Sequence, residues 1–356
     1  MSLNNDAGMR AFVAALPVPE FDETPWVTPP PLSEATVAIC TTAGLHVQGG
    51  EGWQPNEDPS YRVLPADERN LVLAHWSPNF DRVGIAADLN VAYPADRLEE
   101  MVDEGVIGAI GPNHLSFTGN QDDTVTKIRL ETGPAAAAEL KAQGIDVVLL
   151  TPVRPLCSRT VSALAHVFES AGLATVTLIS VRDVAERSRP PRALYCEFPL
   201  GRPLGKPLDP VYQRRVLDAA FALLEASEGP VLEDFPDVIT SEVENAVACA
   251  LPPRFDPDVP PAVDEARALR DAYDRAYEAT GRTSVGRIVD ADAIPDALSA
   301  FARIVDGTEW TEAGLPGFGI DTVLDIRAYY EELCPQLAGG VPRSEEHTSE
   351  LQSPMY

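Results

Sequence analysis

The chain has 356 residues, of which 45% are hydrophobic, and its 55 acidic and 27 basic residues give a net charge of −28. That length is enough for one large or two ordinary domains, and so acidic a surface argues against nucleic acid or an anionic membrane as a partner. Since no apolar run is as long as a membrane span and no secretory signal pattern opens the chain, we expect a cytoplasmic protein.

The first 35 residues predict an extended lead-in, because residues 22–33 are rich in proline. From residue 36, short β-branched runs alternate with helical patterns, which indicates βαβ units. We therefore predict an α/β domain over residues 36–228, built on a mostly parallel, doubly wound sheet. The predicted strands are 36–41, 71–75, 107–110, 145–151, 175–180 and 193–198, and the predicted helices are 96–103, 133–143, 160–171 and 211–226.

Beyond residue 230 the pattern changes. Residues 251–261 are rich in Pro and Asp and predict a linker, and amphipathic patterns at 262–279 and 295–306 predict helices. We expect a helical extension over 262–340 that carries no chemistry of its own. The final segment, 343–356, resembles a translated sequencing-library adapter, so we treat it as an artefactual tail and leave it out of fold reasoning.

The first candidate for chemistry is Cys157. The predicted strand 145–151 ends in a proline-bounded loop, and Cys157 follows it where a helical pattern begins. Ligands bind at the carboxyl edge of parallel strands, and a helix N-terminus favours the thiolate. Arg154 is the expected charge partner, while the alternative is a buried cysteine that packs as a small hydrophobe. The five cysteines are widely spaced without a C-x-x-C pair, which favours a reducing compartment.

Three histidines fall near predicted strand ends, namely His46, His75 and His114. If the strands are parallel, these imidazoles share an edge with the cysteine loop, where they can bind a metal or perform acid–base chemistry. Asp81 follows His75 closely, and Arg62 is a candidate to hold a carboxylate. We predict these five residues as substrate-binding, and the histidines also as metal ligands. The alternative for each histidine is an ordinary hydrogen-bonding loop residue.

Several ordered blocks carry a family resemblance. They are TAGLH at 42–46, DPSYRVLP at 58–65, DLNVAYPADRL at 88–98 and GIDVVLLTP at 144–152, with shorter ones at 171–176, 190–192 and 198–201. Together they resemble the selenoprotein B subunit, the substrate-specific component of the glycine, sarcosine, betaine and D-proline reductases. The resemblance covers about residues 36–225.

In that family the loop after the strand typically has the pattern Pro-x-Sec-Pro-x-Cys, or has Cys in place of Sec. The selenol or thiol attacks the substrate, cleaves a C–N bond reductively and ends in a mixed selenide–sulfide or a disulfide. Here the loop is PVRPLC at 152–157, so Cys157 matches the second redox residue and Arg154 occupies the position of the nucleophile. An arginine cannot attack, because its guanidinium stays protonated.

The resemblance implies an oxidoreductase that acts on an amino-acid-like or carboxylate substrate with a dithiol/disulfide couple. It also implies a thiol reductant or thioredoxin-like donor and other reductase subunits, some of them pyruvoyl-bearing, as partners. Two interpretations stay open. Either Cys157 keeps a redox or covalent role with Arg154 lowering its pKa, or the protein is a non-catalytic or metal-assisted binder of small carboxylates or amines with Arg154 as the clamp.

Overall fold

The computed structural model describes residues 5–54, 57–77, 79–119, 121–240 and 255–337. The chain divides into two compact units, Met1–Ser241 and Glu242–Tyr356. Across the described residues, no helix combines the length and the apolar character needed to cross a membrane. The tail at 343–356 that resembles an adapter lies outside the described residues.

The first unit contains ten strands and seven α-helices within its described residues. The strands are β1 (Thr36–Thr41), β2 (Leu45–Val47), β3 (Arg62–Pro65), β4 (Leu71–Leu73), β5 (Ala109–Ile110), β6 (Asn113–Ser116), β7 (Val147–Thr151), β8 (Ala174–Ile179), β9 (Arg192–Tyr195) and β10 (Val231–Asp234). The helices are α1 (Asp6–Ala14), α2 (Val83–Ala87), α3 (Ala95–Asp103), α4 (Gly133–Ala142), α5 (Cys157–Ser170), α6 (Arg182–Ser188) and α7 (Pro210–Ala222).

Eight of these strands form one sheet in the order β10-β9-β8-β7-β1-β6-β3, with β5 also pairing with β1. Every pairing in it is parallel except β3 with β6. The chain moves from β1 to β6 on one side and then returns to β7 on the other. The strand order therefore reverses at β1, which makes the carboxyl ends of β1, β6 and β7 the topological switch point where open α/β sheets bind ligands.

Both faces of the sheet are covered. Val37 and Ile39 of β1 pack in a core with residues of α3 and α7, whereas Ala38 and Cys40 pack in a second core with residues of α4 and α5. Side chains alternate between the two faces of a strand, so a strand buried on both sides is apolar at nearly every position. The predicted doubly wound, mostly parallel α/β sheet is confirmed.

Helices α4 and α5 show why the helical patterns end where they do. Gly144 and Gly172 follow them with φ angles of 74° and 88°, a left-handed conformation that glycine adopts without strain at a helix C-terminus. Helix α7 begins after Asp209, whose side chain accepts a hydrogen bond from the Tyr212 N–H at 2.9 Å, the expected contact of an N-cap residue.

The second unit is helical, with α8 (Pro261–Ala268), α9 (Arg270–Thr280), α10 (Ile294–Val305) and α11 (Gly319–Leu337). Its core includes Tyr273, Ile294 and Tyr329. Buried Asp325 accepts four backbone N–H bonds, from residues 286–289, at 2.7 to 3.0 Å. This carboxylate therefore fixes the loop between α9 and α10, where no regular element satisfies the backbone donors.

The structure differs from the sequence-based prediction in several elements. Residues 6–14 form helix α1 where we expected an extended lead-in, and the pattern at 262–279 is two helices instead of one. Helix α5 begins at Cys157, three residues before the predicted start. Strand β4 pairs antiparallel with β2 in a separate sheet, so the predicted strand 71–75 does not belong to the parallel sheet.

Candidate functional site

Cys157 is the first residue of α5 and lies at the switch point of the sheet. Its Sγ is 3.8 Å from the carbonyl oxygen of Thr42, which directly follows β1. The loop after β6 closes on the same side chain, because a Cβ built on Gly119 would overlap Sγ and lie 3.2 Å from the cysteine Cβ. The thiol is fully buried. Three adjacent strand ends thus enclose it, as the sequence predicted for the carboxyl edge.

Arg154 begins the turn that leads into α5. Its carbonyl oxygen accepts a hydrogen bond from the Cys157 N–H at 2.9 Å, and the residue is only 9% exposed. Burial lowers the pKa of the Arg154 guanidinium, the Cys157 thiolate opposes that shift, and the charge of Arg159 adds to it. The Arg154 guanidinium and the Cys157 side chain are therefore close enough to interact electrostatically.

A small cleft opens beside this loop, between the segments that follow β7, β8 and β9. Arg202 lines it, and the Nε of Arg202 donates a hydrogen bond to Oδ2 of Asp81. Both side chains are 7% exposed. The other lining residues are Pro152, Val153, Leu178, Ile179, Ser180, Cys196, Phe198, Pro199, Gly201 and Pro203.

Helix α1 is tied to the same edge of the sheet. Arg10 donates hydrogen bonds to the carbonyl oxygens of Ser180, at 2.9 Å, and Phe198. The carboxylate of Asp6 accepts from the Leu200 N–H at 2.9 Å. Both contacts bind residues of the segments after β8 and β9, so an N-terminal helix that we did not predict holds the loops of the candidate site.

The three histidines do not form the cluster that we expected. His46 lies in β2 of the two-stranded sheet, His75 follows β4, and His114 lies within β6. No group of three or more His, Cys, Asp or Glu side chains suited to a metal ion occurs among the described residues. The prediction of a shared edge is wrong because β2 and β4 leave the parallel sheet.

Each of the three imidazole rings lies within hydrogen-bond distance of a backbone group near it. Nδ1 of His114 accepts a hydrogen bond from the Ile39 N–H at 3.0 Å, and burial lowers the pKa of His114 to about 3. Nδ1 of His75 accepts from the Ser77 N–H at 3.0 Å. Nδ1 of His46 lies 2.9 Å from the carbonyl oxygen of Val47. His114 is therefore neutral at physiological pH, and its position inside a strand suits packing.

Arg62 was predicted to hold a substrate carboxylate, but its guanidinium hydrogen-bonds to other groups of the protein. Its guanidinium donates to the carbonyl oxygens of Glu51, at 3.0 Å, and Gly52, and to the Ser60 hydroxyl at 2.8 Å. It also stacks on the Trp53 ring at 4.4 Å. These contacts fix the loop before β3.

Asp81, also predicted as substrate-binding, does reach the carboxyl edge, through Arg202. Sequence reasoning missed Arg202, Ser180 and Cys196. Only the block at 198–201 pointed toward this region, and no sequence pattern joins Arg202 to a residue 121 positions away.

Comparison with known proteins gives consistent matches. The family model described as glycine/sarcosine/betaine reductase selenoprotein B matches residues 4–153, ending one residue before Arg154. The chain is 30% identical over 200 residues to D-proline reductase subunit gamma of Acetoanaerobium sticklandii, a match that covers 53% of this chain and 81% of that subunit.

Two further relatives are more distant. Glycine reductase complex component B subunit gamma of Carboxydothermus hydrogenoformans is 28% identical over 63% of this chain and 53% of its own length. Betaine reductase complex component B subunit beta of Peptoclostridium acidaminophilum is 26% identical over 54% of this chain and 46% of its own. The chain thus spans about half the length of these two relatives. No solved structure matches it.

Proposed function

This chain belongs to the glycine/sarcosine/betaine reductase selenoprotein B family, and we propose that it is the component of an amino-acid reductase complex that presents the Cys157 thiol to the substrate. The observation that carries the proposal is the position of Cys157 at the switch point, enclosed by the segments after β1, β6 and β7. Its relatives are named as subunits of D-proline, glycine and betaine reductases, so the proposed substrates are small amino acids with a C–N bond.

Three thiol steps balance the proposed reaction. The Cys157 thiolate attacks the carbon that bears nitrogen, a C–S bond forms, the C–N bond breaks, and the amine leaves with the bonding electrons. A thiolate of an external dithiol or thioredoxin-like donor then attacks Sγ, and the carbon departs with the C–S electrons and takes a proton. The resulting mixed disulfide is reduced by the second thiol of the donor. Arg154 stabilises the thiolate and does not react.

The proposed reaction needs a reducing compartment, and we propose the cytoplasm. The described cysteines of the first unit, Cys40, Cys157 and Cys196, are not joined in a disulfide. Burial raises the pKa of the Cys40 and Cys196 thiols, so neither is prepared to act as the nucleophile. Since Cys157 is also buried, substrate access requires that at least one of the segments enclosing it moves.

The test uses the tagged chain isolated from its own host with any subunits that bind it. Glycine, sarcosine, betaine and D-proline are each added with dithiothreitol, and thiol oxidation is measured together with amine release or, for D-proline, ring opening. We expect one of these substrates to be consumed in step with dithiol oxidation. Cys157→Ser should abolish the reaction, whereas Cys334→Ala in the helical unit should leave it unchanged.

Turnover that survives Cys157→Ser would overturn the proposal. No turnover with any of the four substrates, in a complex that contains the other subunits, would do the same.

One observation favours a second candidate function. Arg154 stands at the position that the family gives to its nucleophile, which suits a protein that binds the substrate without redox chemistry, as an anion clamp. This candidate predicts that substrate binding survives Cys157→Ser but is lost in Arg154→Ala. Equal loss in both variants would contradict it.

A further inference from the structure

The cleft next to the Cys157 loop contains a buried arginine whose ion pair uses only part of its hydrogen-bonding capacity. We propose that this cleft is a carboxylate subsite, in which Nη1 and Nη2 of Arg202 donate to the two oxygens of a substrate carboxylate. The identification of that carboxylate as the reductase substrate rests on the proposed function, whereas the anion site itself rests on the geometry of Arg202.

The guanidinium of Arg202 is held from one side. Its Nε donates to Oδ2 of Asp81, and Oδ1 of Asp81 accepts from the Val83 N–H at 3.0 Å. Gly84 allows this approach, since a Cβ there would lie 2.6 Å from Nε and 2.7 Å from Oδ2. The side chain that bonds Arg202 is thus itself fixed at the first turn of α2.

No side chain among the described residues hydrogen-bonds the terminal nitrogens of Arg202 in this way. Within the part of the chain that the structure describes, Asp81 is the one side chain that hydrogen-bonds or ion-pairs with Arg202, and Arg202 is 6% exposed. An arginine offers five N–H donors in a planar fork. With Nε occupied, the pair Nη1 and Nη2 still presents the geometry that binds a carboxylate with two parallel hydrogen bonds.

The dimensions and walls of the cleft indicate the size of its ligand. The cleft is small and open at its mouth, since its empty volume of about 240 Å³ includes open solvent, so only a small group can enter it. Val153, Leu178 and Phe198 provide apolar walls. A group of a few heavy atoms fits this description, and a carboxylate on a short carbon chain is an anionic group of that size whose two oxygens suit the planar fork of the guanidinium.

The surrounding charges limit the affinity. Asp81 neutralises Arg202, and Asp6 and Arg10 both act on the same region, since the pKa of Asp6 responds to Arg10, Asp81 and Arg202. The four charges sum to zero, so we expect weak binding that depends on hydrogen-bond geometry more than on net potential.

The cleft also lies next to the chain segment that leads to the thiol. Pro152 and Val153 line the cleft and are the first two residues of the segment that ends at Cys157. A carboxylate on Arg202 would therefore place the rest of a small amino acid along this segment. Because it holds the substrate through a part that does not react, Arg202 would act as a positioning residue.

The test is ligand-detected NMR on the full chain, with glycine, sarcosine, betaine and D-proline as probes and glycinamide and D-prolinamide as matched compounds without the carboxylate. We expect at least one carboxylate to bind and its amide not to bind. Arg202→Gln should weaken binding about 10- to 100-fold, the loss that corresponds to charged hydrogen bonds, and Arg202→Lys should retain part of it. Arg214→Gln, on the surface of α7, is the control and should bind normally.

Because Arg202→Gln leaves the buried Asp81 carboxylate without its partner, the double variant Arg202→Gln/Asp81→Asn is measured as well. Thermal unfolding confirms that each variant is folded. Equal binding of acid and amide, unchanged binding in the folded double variant, or no binding of any carboxylate would overturn the subsite. Since no turnover is needed, such a result would leave the test of Cys157 in the proposed function unaffected, and carboxylate binding without turnover would reject only the redox role.

Discussion

Replacement of Gly119 by alanine tests whether the loop after β6 lies on Cys157. A Cβ built on Gly119 overlaps Sγ and lies 3.2 Å from Cβ and 3.3 Å from Cα of Cys157. Because the cysteine is the first residue of α5 and fully buried, the new methyl group must displace the loop or the helix terminus. Such overpacking costs about 1–3 kcal/mol.

A double-variant cycle isolates this contact. Cys157→Ala removes Sγ and creates the space that the alanine methyl needs, so Gly119→Ala should cost much less in the Cys157→Ala background. The coupling free energy should be about 1–2 kcal/mol, within the range for residues in direct contact.

The assay is urea unfolding followed by tryptophan fluorescence. All variants are made in a Trp310→Phe background, because Trp310 lies in the helical unit and is exposed, whereas Trp26, Trp53 and Trp76 lie in the first unit. Equal costs of Gly119→Ala in the two backgrounds would show that the loop does not touch the thiol, and the enclosed site described above would then be refuted.

Three further predictions concern the buried polar groups. Glu169→Gln should destabilise the first unit by about 3–5 kcal/mol, since it leaves fully buried Arg192 without its carboxylate partner, and the added change Arg192→Met should recover part of this loss in the same urea assay. The free energy of unfolding should fall as the pH drops below about 6.5 toward about 3, because His114 is protonated in the unfolded chain and stays neutral in the folded protein. His114→Gln should remove this pH-dependent component. Identical pH profiles of the two proteins would contradict the prediction. Asp325→Asn should destabilise the helical unit by at least about 2 kcal/mol, because an amide nitrogen then faces backbone N–H donors. Amide hydrogen exchange at residues 286–289 should become faster. Unchanged exchange would argue against the proposed role of Asp325 in fixing this loop.

The sequence was sufficient to predict the central strands and the helices that follow them. The β-branched run of β1 gave its observed bounds, Thr36–Thr41, and the strand before the cysteine loop was also predicted. These elements are buried on both faces, so their apolar runs are continuous and their glycine stops are clear.

The strands that the sequence did not predict lacked such a signal. Strand β6, next to β1 in the sheet, buries the polar side chains of His114 and Ser116, and one sequence alone does not distinguish such a strand from a loop. Strand β3 ends in Pro65, a residue found at sheet edges. β10 is short and partly exposed. The predicted histidine cluster was wrong for a related reason, because it assumed that every short apolar run joins the parallel sheet.

Some residues of the candidate site could likewise be predicted from the sequence and others could not. The positions of Cys157 and Arg154 after β7 could be predicted, because they follow from local order, a strand followed by a helix, and the roles of both residues stay predictions. Arg202 could not, since its contact with Asp81 joins distant segments, and long-range contacts of this kind leave no periodic pattern. Helix α1 was missed because its role depends on Arg10 reaching the segments after β8 and β9.

The most direct test of the account is a search for the covalent intermediate on Cys157. The complex isolated from the host is incubated with ¹³C-labelled substrate while the dithiol is withheld, then denatured, alkylated and digested, and its cysteine peptides are weighed. We predict a mass increase equal to the substrate without its amine, or to ring-opened D-proline, carried by the Cys157 peptide and absent when dithiol is supplied. A complex that turns over the substrate yet carries no adduct on Cys157, or carries it on Cys40, Cys196 or Cys334, would contradict the account.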